Sequence, residues 1–207
     1  MSDEGKAPGQ TPTVDNDLTP RIQERFPHAV IGIHHFRGQQ TVIIKREGLL
    51  EIASYLRDDP AMRCDVLMDL SVVDYLKFGR SQHSAPTLST PAPLPYYMTP
   101  KPVPEQWQRL VGEEHRFDVV YHLYSTRHNH RLRVKVPVAL ADPSIASLTG
   151  LWASANWFER EAWDLFGITF TGHPDLRRIL MYEPFKGHPL RKDYPVRKRQ
   201  PLIGPTN

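Results

Sequence analysis

The apolar positions along this chain change period several times, and each period predicts an element. AVIGIHHF (29–36) and TVIIK (41–45) are rich in β-branched residues and flank the turn RGQQ, which predicts a β-hairpin. EGLLEIASYLRDD then places Leu49, Ile52, Ala53 and Leu56 at helical spacing, so an amphipathic helix follows. CDVLMDLSVVDY (64–75) is apolar enough to predict a central strand buried on both faces. In RFDVVYHLY (116–124), Phe117, Val119, Tyr121 and Leu123 share one face. RLRVKV (131–136) alternates strictly, with Leu132, Val134 and Val136 inward and Arg131, Arg133 and Lys135 outward. The link STRHNH between these two runs suggests a second hairpin. At the start, a short helix is predicted with Thr19 as N-cap and Pro20 at its first position. After Pro143 a short helix, IASLTGLW, is expected, and then a longer one, ANWFEREAWDLFG.

This order segregates strands from helices and suits an α+β two-layer domain better than a βαβ repeat. The expected sheet is mixed and largely antiparallel, with helices packed on it and an extended C-terminal tail. Residues 1–17 are polar and read as a disordered leader. The domain is expected over 18–180, interrupted by a Pro-rich insertion at 78–114. In that insertion SAPTLSTPAPLPYYMTPKPVPEQ carries seven prolines, which cannot join a sheet interior and favour extended paths. It reads either as an excursion across a partner's surface or as a floppy insert. Residues 181–207 are expected to form an extended basic tail for docking.

Composition narrows the chemistry. Cys64 is the only cysteine, which excludes intramolecular disulfides and any all-cysteine iron–sulfur or zinc site, and fits a reducing cytoplasm. No run approaches the roughly 20 apolar residues that cross a bilayer, and the leader lacks the marks of a targeting signal. Net charge is only +3, but residues 172–199 hold eight basic side chains against three acidic ones, so an acidic partner is expected for this region.

The helix predicted at 156–166 carries the densest chemistry. Asn156 is a candidate N-cap with Glu159 at capping-box spacing, and Gly167 ends the helix as a C′ residue. Phe158, Ala162, Leu165 and Phe166 form the expected buried stripe. Glu159, Arg160, Glu161 and Asp164 are crowded beside Trp157 and Trp163, with Glu161 and Asp164 as i, i+3 neighbours. Two such carboxylates could divide acid and base roles or share a metal. An interface helix whose charges meet fixed arginines is the favoured reading, since no second carboxylate or histidine cluster stands at ligand spacing. Downstream, FTGHPDLRRIL (170–180) and KGHPLRKDYP (186–195) present His173 and His188 on rigid Gly-His-Pro turns. Capping a backbone group or pairing with a carboxylate is the expected use of such a histidine, ahead of metal ligation.

The run from Glu159 to Leu180, of the form ERExxDLFGxxFxGHPDLRRIL, resembles the signature of the 30-kDa family, the C-type subunits of the respiratory complex I peripheral arm. GHPLRKDYP, Gly187 to Pro195, resembles the family's second phrase. The resemblance covers roughly residues 18–195, although the proline-rich stretch is longer than in compact members and the chain ends soon after the second phrase. It implies a peripheral protein that binds no flavin, iron–sulfur cluster or quinone itself. Such a protein packs against the large quinone-cavity subunit (49-kDa, D-type) and helps join it to small cluster-bearing neighbours (B-type and I-type). The whole enzyme, which uses NADH, FMN, iron–sulfur clusters and a quinone, is a translocase that couples electron transport from NADH to proton pumping. Its arm lies on the cytoplasmic side of the bacterial inner membrane. Related membrane-bound hydrogenases, photosynthetic NDH complexes and F420-linked dehydrogenases carry equivalent subunits.

No catalytic, cofactor-binding or metal-binding residue is therefore assigned. Glu159, Arg160, Glu161, Asp164, His173, Asp175, Arg177, His188, Arg191, Lys192, Asp193 and Tyr194 are expected to be interface or structural residues, largely through ion pairing. Two other classes stand beside this reading. A nucleic-acid binder would use the basic tail and Tyr194, but no recognition helix or stacking platform accompanies them. A hydrolase would use Glu161 and Asp164 with His173.

Overall fold

The computed structural model describes residues 17–76 and 115–201. The chain runs α1 (Thr19–Arg25), β1 (Val30–Phe36), β2 (Gln39–Ile44), a 3-10 turn (Arg46–Gly48), α2 (Leu49–Asp58) and β3 (Val66–Asp74). It continues with β4 (Phe117–Ser125), β5 (His130–Val138), β6 (Ser144–Ala146), α3 (Ala155–Phe166) and β7 (Thr169–Thr171). Five strands form one sheet in the order β1-β2-β5-β4-β3, and β6 pairs with β7 in a separate two-stranded ladder. Only β2 and β5 run parallel within the large sheet, so it is mixed and largely antiparallel as expected. The chain crosses by α2 to the far edge, then returns by two antiparallel pairings until β5 fills the gap beside β2.

Local chemistry sets these elements. The β1–β2 hairpin turns on Arg37 and Gly38 alone, both at positive φ (50° and 76°), and so recruits Gln39 and Gln40 into β2. Paired positive-φ residues match the right-handed twist of the flanking strands. On the inner face Val42 and Ile44, Leu132, Val134 and Val136, and Phe117, Val119, Tyr121 and Leu123 are all buried. They join Leu49, Ile52, Ala53 and Leu56 of α2 in one continuous core. The helical and alternating periods read from the sequence are thus the core-facing positions. Cys64 lies in the same core, where burial pushes its thiol up to about 12.

Three sequence expectations are corrected, and the outward placement of Lys135 holds. Thr19 is the first residue of α1 and not its cap; Leu18 occupies that position, while the Asp17 carboxylate accepts from the Thr19 amide (3.0 Å) and hydroxyl (2.7 Å). The strand at 64–75 is an edge strand with alternating burial, and Val66, Met68 and Val73 point outward despite being apolar. IASLTGLW is not a helix: Ser144–Ala146 pairs with Thr169–Thr171, and the following backbone forms turns. Its buried Ile145, Leu148 and Trp152 stand at helical spacing, which is what misled the periodicity. Lys135 points away from the helices, yet it is only 8% exposed and sits 3.5 Å from the Asp118 carboxylate.

The leader to residue 16, the insertion and residues 202–207 lie outside the described residues. Among the described residues no helix is long and apolar enough to cross a membrane. Residues 181–201 contain neither helix nor strand and return along α3 and the β3–β4 end of the sheet.

Replacing Ile52 with Ala should cost about 2–5 kcal/mol of unfolding free energy, because its side chain is fully buried between helix and sheet. Leu50→Ala, at a position 47% exposed on the same helix, should change stability by no more than about 0.5 kcal/mol. Urea denaturation of both variants measures the contrast.

Candidate functional site

The site is built on α3. The helix begins one residue earlier than the sequence suggested, after Ser154, and Asn156 lies inside it, so no capping box forms. Ser154 instead donates its hydroxyl to the Leu67 carbonyl (3.2 Å), fixing the helix start to β3. Glu159 turns into the core. Its fully buried carboxylate accepts from the Ser147 hydroxyl and the Leu148 amide, both at 2.6 Å. No cation meets Glu159 among the described residues, so the ion pair expected there is not formed. Burial raises the Glu159 carboxyl from its ordinary 4.5 to about 7, against the opposing pull of those two hydrogen bonds. The Tyr121 hydroxyl, buried without a hydrogen-bond partner among the described residues, feels the same carboxylate.

Asp164 is the opposite case. Its carboxylate is also fully buried, but Oδ2 accepts from the amides of Ile179 (3.2 Å), Leu180 (2.9 Å) and Met181 (2.8 Å). Oδ1 receives the Arg178 guanidinium. Burial alone would raise this carboxyl; the amides and Arg178 outweigh it and hold it below the usual range. Arg178 then spans the tail, donating to the carbonyls of Phe185 (3.0 Å) and Gly187 (3.2 Å) between the rings of Trp163 and Phe185. Glu161 is exposed on another face of the helix, so the two carboxylates do not converge. The acid–base pair entertained from their spacing is not formed.

The tail supplies the helix C-terminus. A helix leaves its last four carbonyls without internal donors. Here His188 Nδ1 meets the Asp164 carbonyl (3.0 Å), and the Leu190 amide donates to that of Leu165 (3.1 Å). Arg191 donates to the carbonyls of Phe166 (2.5 Å) and Gly167 (3.3 Å). Gly167 adopts φ 72°, and a Cβ there would stand 2.5 Å from Arg191 Nη2 and 2.6 Å from the His188 ring. Two requirements, a left-handed backbone and a close approach, therefore make this position glycine.

A second clasp fastens the tail to the sheet. Arg116, almost fully buried, bonds Asp74 at the end of β3 (3.0 and 3.2 Å) and Asp193 of the tail (2.6 and 3.0 Å). The Lys192 amide donates to Asp74 as well (2.8 Å). Both histidines serve the backbone: His173 Nε2 meets the Asn156 carbonyl (3.2 Å) while its Nδ1 accepts from the Asp175 amide (3.0 Å). Accepting at Nδ1 leaves the proton on Nε2. Arg160 donates to the carbonyls of Arg177 and Arg178 and lies over the Trp157 ring, without a carboxylate partner among the described residues; Arg177 is exposed and pairs with Asp175 (2.9 Å). Tyr194 stacks on Phe185 and accepts from Gln200. Sequence reasoning missed Arg178, Asp74 and Arg116. Asp74 had a signal, because it continues the inward alternation of Leu70 and Val72. Two large apolar groups also stand exposed beside these charges, Trp157 at 64% and Leu180 at 55%, with Glu161 and Arg177 in solvent near them.

Residues 42–200 match the family described as respiratory-chain NADH dehydrogenase, 30 Kd subunit. The chain belongs to that family. Among curated relatives of the 30-kDa family, the C-type subunit of the NADH-quinone oxidoreductase of Citrifermentans bemidjiense is 40% identical over 92% of this chain and 96% of its own length. That of Roseiflexus castenholzii is 42% identical over 85% of this chain and 81% of its own. A solved trypsin-resistant fragment of Nqo5 is 31% identical with a TM-score of 0.51, covering 77% of this chain and 96% of the fragment. A chain of an archaeal membrane-bound sulfane sulfur reductase shares the fold, with a TM-score of 0.56 at 15% identity over 88% of this chain and 86% of that one. A 30-kDa-family chain of this kind is one component of a multisubunit oxidoreductase.

Two outcomes test the site. The protonated form of Glu159 is favoured by the fold, so its raised pKa stabilises fully below pH 4.5, and the contribution is lost as pH rises to about 7. Wild type should therefore lose more stability between pH 5 and pH 8 than Glu159→Gln, measured by urea denaturation. Arg178→Ala strands the Asp164 charge inside the protein and should cost about 3–5 kcal/mol.

Proposed function

We propose that this chain is a cofactor-free docking component of a proton-pumping NADH-quinone oxidoreductase. One observation carries the reading. Glu159, Arg160, Asp164 and Arg178 of the signature are spent on backbone groups, a hydroxyl and one another, while Trp157 and Leu180 project beside the exposed Glu161 and Arg177. A side chain locked by several hydrogen bonds is not free to carry protons or electrons. An exposed tryptophan beside a stacked arginine is, by contrast, the composition of an interface hot spot. The names of the curated relatives favour NADH and a quinone as the electron donor and acceptor of the assembly.

In this reading the chain binds no flavin, cluster or quinone. It joins the large quinone-cavity subunit to the cluster-bearing subunits on the cytoplasmic side of the bacterial membrane, and is held there through the complex. The basic tail contributes charge to the contact, since Lys192, Arg197, Lys198 and Arg199 are exposed.

The test is a tagged pull-down from gently solubilised membranes, with identification of the co-purifying chains and an NADH:quinone assay on the eluate. Trp157→Ala should weaken capture roughly thirtyfold, as for loss of a hot spot worth about 2 kcal/mol, and leave the urea midpoint unchanged. Arg160→Ala should impair assembly more than any substitution within residues 1–17. A monomer recovered alone, or full capture and activity with Trp157→Ala, would overturn the docking reading. Capture with hydrogenase or F420-linked partners would keep the docking role and change the enzyme.

A further inference from the structure

The sheet face turned away from α2 carries a concentration of charge that the docking reading does not use. On β5, Arg131 and Arg133 stand two residues apart on that face, about 7 Å along the strand. Across β4 they lie opposite Tyr124 and His122, and His122 in turn lies opposite Asp69 of β3. Arg131, Arg133, His122 and Asp69 line an open groove of about 360 Å³ with Gln39 and Met68. Arg133 donates to the Gln39 side-chain carbonyl, and Arg131 lies 5.6 Å over the Tyr124 ring. Neither guanidinium meets a carboxylate among the described residues, whereas the next outward cation, Lys135, pairs with Asp118. Like charges held this close repel unless an anion lies between them. Burial and the neighbouring Arg133 and Lys135 keep the His122 imidazole below its usual range, although Asp69 opposes them, so it offers a neutral hydrogen-bonding ring.

We propose that this groove binds an acidic extended segment, and that the occupant in the free chain is its own leader, residues 1–16. Two observations select that occupant. The leader carries Asp3, Glu4 and Asp15 against Lys6 alone, which complements the two guanidiniums that lack a carboxylate. It also joins the fold near the groove: the amide of Leu18 donates to the side chain of Gln40 (2.8 Å), which borders the groove but points to the α2 face level with Leu132, so the leader rounds the β1 edge to reach it. Sixteen extended residues reach up to about 50 Å, more than the roughly 20 Å across five strands. A tether of this length raises the local concentration of its acidic groups to the millimolar range, so weak contacts suffice. Asp69 repels the incoming carboxylates from the far wall, which directs them toward Arg131 and Gln39.

The experiment uses the full chain. A nitroxide attached through Gly5→Cys marks the leader; Cys64, buried in the core, escapes labelling. The amide signals of His122, Arg131 and Arg133 should lose most of their intensity at about 0.1 M salt. They should recover at about 1 M, where the screening length falls from about 10 Å to about 3 Å. They should also recover in the Arg131→Gln, Arg133→Gln double variant, whose exposed or half-exposed positions preserve the fold, as an unchanged spectrum elsewhere would report. Full intensity in the unsubstituted chain at low salt would overturn the proposal. So would equal loss in the double variant, because the leader would then be lying there without the guanidiniums.

Discussion

The free carbonyls at the end of α3 are the constraint on which the signature half of this protein depends. A helix that ends under other chain must find donors for its last turn, since water does not reach them. This one finds them in a segment more than twenty residues downstream. Every feature of that segment follows: a Gly-His-Pro turn to place His188, an arginine long enough to reach two carbonyls, and a glycine at 167 thin enough to admit them. Asp164 performs the complementary task from the side chain, gathering three successive amides and Arg178 around one buried charge. The helix and the tail are therefore a single hydrogen-bonded object. A residue in either half has its role defined by the other.

That mutual dependence separates two kinds of buried acid on one helix. Asp164 is surrounded by donors and stays ionised; Glu159, five residues earlier, has two donors and no cation among the described residues, and sits at the edge of ionisation near neutrality. The same residue class at similar burial thus contributes to stability with opposite dependence on pH. Both carboxylates are held by donors that also fix the chain around them, Ser147 and Leu148 for Glu159 and residues 178–181 for Asp164. The exposed surface of the site is mixed: Trp157 and Leu180 stand beside the charges of Glu161 and Arg177.

Much of the fold was legible because period reports burial directly. The α2 stripe and the inward positions of β4 and β5 were readable residue by residue. β3 was not, because apolar content does not distinguish a strand buried on both faces from an edge strand bearing Val66, Met68 and Val73 outward. The segment around Ile145, Leu148 and Trp152 was misread for a related reason: a turn packed against the core can repeat its contacts at helical intervals. At the site, the backbone-serving histidines followed from their Gly-His-Pro context. Glu161 and Asp164 were wrongly joined because a separation of three residues leaves about 60° between them around the helix, and a distant tail decided which one is buried. Arg177 and Arg178 are indistinguishable in sequence for the same reason. One reaches Asp164 and the other remains in solvent, and only the three-dimensional path of the chain selects between them.

The clasp of Asp74, Arg116 and Asp193 has a further consequence for how such a chain can vary. Asp74 pairs with Phe117 in the β3–β4 register, and the Tyr75 amide bonds the Arg116 carbonyl at 2.9 Å, so the connection between these strands departs and returns through one closed gate. With its two ends already pinned together, the length of that connection is nearly decoupled from the stability of the sheet. Each doubling of a flexible loop adds only about 0.6 kcal/mol of closure entropy. The β3–β4 junction is thus a place where this architecture tolerates lengthening, and where new contact surface can be acquired without rebuilding the domain beneath it.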